Sequence, residues 1–184
     1  MPYLVKAQIK LRHGESKNFK GWLISANHLS LCLKPPMDSC PMGIFNQLVS
    51  LNLCTCSLDW FRLILNHTPK LRVLRFALIE VRWNRECSPI QRCCGSSVDV
   101  QTQWEQPSSV PNCLISTLET VEWTAYKGTQ AEKKVVIYLL ENSPQLKTMA
   151  IRSLKSTSDS EKFKMLKEVS STPRSSSKCR LSFT

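Results

Sequence analysis

Glycine is scarce in this sequence, with five in 184 residues. No G-x-G-x-x-G, P-loop, G-x-S-x-G or H-E-x-x-H pattern occurs, which leaves little material for a phosphate cradle and no ready nucleophile elbow or zinc helix. No run of about twenty uninterrupted apolar residues exists, so no membrane-spanning helix is expected. The first ten residues carry Lys6 and Lys10 and lack the apolar core of a secretory leader. These absences predict a soluble intracellular protein, in cytoplasm or nucleus, with no membrane partner.

Histidine is limited to His13, His28 and His67. A nucleophilic cysteine needs an activating base. His28 heads a predicted strand and His67 ends a predicted helix, where a cation suits the helix dipole, so both read as structural. The nine cysteines are an odd number scattered among predicted elements. Cys54-x-Cys56 and Cys93-Cys94 lack the C-x₂-C spacing that lets two thiolates meet one zinc, and no second pair follows at a suitable distance. Reduced thiols acting as small hydrophobes on strands, plus loop thiols, are the simpler reading. The residues thus predict no catalytic group, no metal and no cofactor. Glu119 and Glu122 read as a charged strand face. Trp22, Trp60, Trp83, Trp104 and Trp123 could form a binding stripe, although a Trp at a repeat's apolar position is usually core.

Charge is present in excess, with 25 Lys and Arg against 14 Asp and Glu for a net +11, densest after Arg152. A nucleic-acid-binding function would rest on that charge alone, because no zinc-finger, helix-turn-helix or RNP-type pattern accompanies it. Scattered lysine more commonly makes a solvated surface. With 42% apolar residues, the chain can supply one continuous core, in one domain or two intimately packed ones.

A hexapeptide returns along the chain at Leu4 to Ile9, His28 to Leu33, Leu48 to Leu53, Leu71 to Phe76, Leu118 to Trp123 and Leu146 to Ile151. Most copies place apolar residues at positions one, four and six, the strand half of a leucine-rich repeat. The starts at 4, 28, 48, 71, 118 and 146 give intervals of 24, 20, 23, 47 and 28. The 47 is about two periods, and the composition around Pro89, Gly95, Ser96 and Ser97 favours an inserted loop there. Cys56 falls at the Asn-or-Cys position of its repeat. Tyr126 and Leu154 occupy that place in two later copies, which argues against regular side-chain ladder bonding.

Helical spacing lies between the strands. Phe19, Trp22, Leu23 and Ala26 form one stripe. A second helix is expected from Leu58 to His67, with Ser57 or Asp59 as its cap and Pro69 closing it. Thr129-Gln-Ala-Glu132 and Ser158-Asp-Ser-Glu161 are capping-box sequences that open two further helices. A last short strand is expected over Cys179 to Phe183. The alternation predicts an α/β solenoid fragment with mostly parallel strands and outer helices. The predicted organisation is a repeat region over 1–100, with an irregular loop about 77–103, and a second domain over 101–184.

The second part carries a specific set of motifs. Trp104, Pro107, Val110, Pro111, Cys113, Leu114, Leu118, Trp123, Tyr126, Gly128 and Glu132 stand in an order that closely resembles the FBD domain of plant F-box and leucine-rich-repeat proteins. Phe45-Asn46-Gln47-Leu48 to Cys56 and Asn66 to Leu71 look like the repeat part of the same proteins. The resemblance implies that the motif residues are structural. It also implies kinship with substrate receptors of ubiquitin ligases, in which an F-box binds a Skp-type adaptor and the repeats capture a target protein. This chain opens on a repeat strand, so no adaptor binding is expected of it alone.

The expected function is a non-enzymatic protein-interaction module with an unidentified target. A truncated remnant and a basic nucleic-acid binder are the alternatives. Self-association is expected through the N-terminal edge strand, Tyr3 to Ile9, whose backbone groups no preceding repeat covers.

Overall fold

The computed structural model describes residues 6–11, 25–33, 44–54, 58–77 and 104–184. Side chains of 7–11, 32, 33, 59 and 60 lie outside that description, as do the expected helix stripe over Phe19 to Leu23, the 77–103 loop beyond Ala77, and Cys56, Cys93 and Cys94.

Seven strands form one sheet in strict chain order, β1 (Lys6–Leu11), β2 (His28–Leu33), β3 (Ser50–Cys54), β4 (Val73–Ala77), β5 (Thr120–Tyr126), β6 (Thr148–Ser153) and β7 (Arg180–Phe183). Every neighbouring pair is parallel. Sequential order with parallel pairing requires each connection to cross back over the same face, which is the solenoid arrangement the hexapeptides predict. Helices α1 (Leu58–Asn66), α2 (Asn112–Ser116), α3 (Gln130–Asn142) and α4 (Asp159–Ser170) supply the crossovers among the described residues. β1, the strand expected to self-associate, stands at one edge of the sheet.

The core follows the hexapeptide positions. Leu48, Leu51 and Leu53, then Leu71, Leu74 and Phe76, then Leu118, Val121 and Trp123, then Leu146, Met149 and Ile151 are all buried in one cluster with α1 and α3 residues such as Phe61, Ile64, Val135 and Leu139. A leucine of this size contributes about 1.5–3 kcal/mol when buried, so stacking the copies is what stabilises each.

Register corrects one hexapeptide. His28 pairs with Ser50, which makes Ala26 and not His28 the partner of Leu48 at position one. Ala26, Leu29 and Leu31 are the buried residues of that copy. The starts at 4, 26, 48 and 71 are then 22, 22 and 23 residues apart, a more regular solenoid than the sequence alone suggests. Ala26, taken as the end of a helical stripe, instead anchors the entry to β2.

The strand entries share one continuous backbone ladder. The Val49 N–H donates to Asn27 O at 2.9 Å, Arg72 to Val49 at 2.9 Å, Glu119 to Arg72 at 2.9 Å, Lys147 to Glu119 at 2.8 Å and Arg180 to Lys147 at 2.9 Å. This ladder crosses from β4 to β5 without a break, spanning the boundary expected near Gln101.

Both capping boxes form. Thr129 Oγ1 accepts from the Glu132 N–H at 3.3 Å, and the Glu132 carboxylate accepts from the Thr129 N–H at 3.1 Å. Ser158 and Glu161 repeat the pattern at 3.3 and 3.1 Å. The helix expected over Leu58 to His67 ends at Asn66, and the last strand begins at Arg180. α2, which follows Pro111, is too short at five residues to show a helical period in the sequence.

β5 carries a bulge. Its register with β6 shifts between Thr124 and Tyr126, and Ala125 adopts a left-handed φ of 60°. The extra residue turns Tyr126 onto the core side, where it is fully buried. Tyr126 therefore does not occupy the Asn-or-Cys position that its sequence spacing implies.

Candidate functional site

Side chains alternate across a strand, so with positions four and six in the core, positions three and five face away from the helices. Position three reads Lys6, His28, Ser50, Val73, Thr120, Thr148 and Arg180, and position five continues with Ser30, Asn52, Arg75, Glu122, Ala150 and Ser182. Most of these side chains are short or carry hydroxyls, and nearly all are exposed or half-buried. No helix covers this face among the described residues.

Arg75 is the largest side chain near its centre and is held in place from both sides. Its Nε donates to Glu122 Oε2 at 3.0 Å, Nη2 to Oε1 at 3.5 Å, and Nη1 to Ser50 Oγ at 3.0 Å. The planar fork fits the carboxylate on the next strand and a hydroxyl on the previous one, fixing the guanidinium across three strands. The sequence hides this pair because its members are 47 residues apart. Each is nonetheless the fifth residue of its hexapeptide, and that coincidence is the signal an aligned repeat would have shown.

At the strand entries, Glu119 bridges Arg72 at 3.3 Å and Lys147 at 3.1 Å. The Lys147 hydrogen bond, with the charges of Arg72 and Lys147, holds the Glu119 carboxyl below the usual carboxylate range. The two carboxylates that the sequence places on a charged strand face are thus both engaged by cations. Arg152 and Arg180, by contrast, are exposed and have no carboxylate within ion-pair distance among the described residues.

The motif residues of the second part sit mainly on the other side of the sheet. Trp104, Pro111, Cys113, Leu114, Leu118, Trp123, Tyr126 and Glu132 are buried, while Pro107, Val110 and Gly128 are half-buried. Trp104 packs against Tyr138 with ring centroids 5.3 Å apart, and Trp123 stacks on Phe76 at 4.1 Å. These two tryptophans are core residues and form no exposed stripe. Gly128 has φ +69°, a left-handed backbone that favours glycine, and a Cβ there would meet the flexible Met165 side chain.

Cys113 lies under α1. Its thiol donates to Leu65 O at 3.4 Å, and burial pushes its pKa up to about 11, which keeps it a thiol. Cys54 and Cys179 are likewise buried. No group of three metal-ligating side chains occurs among the described residues, and none of their helices is long and apolar enough to cross a membrane.

Glu132 has a structural task. Its carboxylate also accepts from the Lys127 N–H at 3.0 Å, so one buried group ties the exit of β5 to the start of α3. Burial raises its pKa, against the pull of those N–H groups and of the Lys127 charge. A carboxyl raised on folding contributes most below its unfolded value near 4.5, and that contribution is lost as pH rises through the folded value. Glu132→Gln keeps an acceptor and removes the desolvated charge, so it should match or exceed the parent's stability at pH 7 and flatten the slope above pH 4.5. Glu132→Ala strands two N–H groups and should cost about 2–4 kcal/mol. Urea melts across pH check both, and equal losses for Gln and Ala would refute the assignment.

Residues 106–151 match the model of the FBD family. A putative FBD-associated F-box protein of Arabidopsis thaliana is 71% identical over 184 residues, covering all of this chain and 43% of that protein. Two F-box/FBD/LRR-repeat proteins of the same plant are 36% and 38% identical, again over the whole chain and 41% and 42% of their lengths. This chain therefore spans about two fifths of the relatives it matches. No solved structure matches it. The chain carries an FBD domain and is similar throughout its length to FBD-associated F-box proteins.

Proposed function

We propose that this FBD-domain chain is a non-enzymatic, intracellular protein-interaction module, equivalent to the target-capturing part of an F-box ubiquitin-ligase receptor, and that the uncovered sheet face is its capture surface. The observation that carries this reading is the face itself. Strands β2 to β7 present mostly short or polar side chains on a frame fixed by one buried core, with Arg75 immobilised near the middle. Rigid presentation lowers the ordering cost of binding, which is how a flat polar surface gains affinity for a protein partner. The thiols described are buried, and Cys113 is held protonated, which agrees with a structural role for them. Kinship with F-box proteins supports the pathway, and the FBD part shares the sheet with the repeat part.

Site-specific photocrosslinking tests this. A crosslinker at Ser30 or Ser182 on the sheet face should yield a defined protein adduct in plant extract, and Thr120→Arg should abolish it. Crosslinkers at Glu141 or Phe163 on the helices should not. Adducts arising only from the helix positions would overturn the assignment of the face.

A further inference from the structure

Among the described residues, Arg152 and Arg180 have no carboxylate within ion-pair distance, while the carboxylates of the sheet face and of the strand entries are taken. Glu122 is bound by Arg75 and Glu119 by Arg72 and Lys147. Arg180 is in register with Thr148 on β6, and Arg152 lies four residues further along that strand. Four residues at ~3.3 Å and one strand spacing of ~4.8 Å put their Cα atoms roughly 14 Å apart. Thr148, Ala150 and Ser182 lie between them, side chains short enough to leave the space above the sheet open.

Building on the module reading, we propose that this end of the face binds an extended acidic segment of the partner protein, with two carboxylates four residues apart. In an extended chain, residues i and i+4 project from the same side and are ~13–14 Å apart, which matches the arginine spacing. Each guanidinium can then take one carboxylate through paired N–H donors, and the hydroxyls of Thr148 and Ser182 can meet the backbone between. Single-stranded nucleic acid fits less well, because binding it relies on exposed aromatic platforms. No Phe, Tyr or Trp occupies positions three or five of β2 to β7, and His28 on β2 stands far from the two arginines.

Fluorescence anisotropy with the full chain tests this, using a labelled Glu-Ser-Ser-Ser-Glu peptide flanked by serines. The parent should bind it with an affinity that falls as salt rises. Arg152→Glu combined with Arg180→Glu should weaken binding by roughly tenfold or more, and should instead bind the peptide carrying Lys at both positions. Lys164→Glu with Lys167→Glu on α4 should leave binding unchanged, and circular dichroism should show each variant folded. Equal affinity for a Gln-substituted peptide, equal loss in the α4 variant, or tighter binding of an RNA oligonucleotide that depends on the same arginines would each overturn the proposal. If the sheet-face crosslinks persist undiminished in the Arg152/Arg180 variant, the module reading stands and the acidic-segment proposal falls.

Discussion

Leu51→Asp unfolds the chain at neutral pH, and Val135→Asp does the same from the helix side. Leu51 is fully buried at position four of β3, in register with Leu29 on one side and Leu74 on the other. Val135 is equally buried on α3. A carboxylate at either place has neither water nor a cation, so it must ionise at great cost or take up a proton and still lack partners. Losses above ~4 kcal/mol are expected, comparable with the whole stability of a domain, which is commonly 5–15 kcal/mol. The neighbouring substitution supplies the control. Asn52→Asp sits on the other, half-buried side of the pleat, in register with Arg75, and should cost far less than Leu51→Asp. Circular dichroism and thermal melting decide. A cooperative melt for Leu51→Asp at the parent's temperature would mean that the two faces have been assigned the wrong way round.

The hexapeptides were legible because a solenoid repeats one burial problem, so the same three positions must be apolar each time. Legibility stopped where a small residue meets the need. Ala26 buries as fully as Leu48 but carries no hydrophobic signature, and His28 drew the second copy two residues out of register. The helix caps were readable because Thr129 with Glu132 and Ser158 with Glu161 satisfy local backbone donors through local side chains. The bulge at Ala125 was not, since its left-handed backbone is set by packing of Tyr126 and not by a glycine. The exposed face was the hardest part. Its character comes from residues such as Arg75, Glu122, Arg152 and Arg180, which are unremarked singly and become a surface only when strands far apart in sequence lie side by side.

That juxtaposition is strongest at Trp123, and Trp123→Ala should lower stability by about 3–5 kcal/mol. The ring stacks on Phe76 of β4 at 4.1 Å and meets Tyr126 edge-on at 5.5 Å. Phe76 in turn packs edge-on against Phe61 of α1 at 5.3 Å, and Tyr126 against Phe183 of β7 at 6.2 Å. The aromatic contacts therefore run from the repeat part to the last strand through this one side chain, beneath the unbroken ladder between β4 and β5. Truncation leaves a large cavity at the junction, lined by groups that cannot collapse into it without distorting the sheet. For a chain of this size the loss corresponds to roughly 6–20 °C in melting temperature. We expect a single transition to persist, seen identically by near-ultraviolet and far-ultraviolet circular dichroism, because both parts share one sheet and one core. Two separated transitions in the variant would sink that expectation and show that the repeat part and the FBD part hold together only through Trp123.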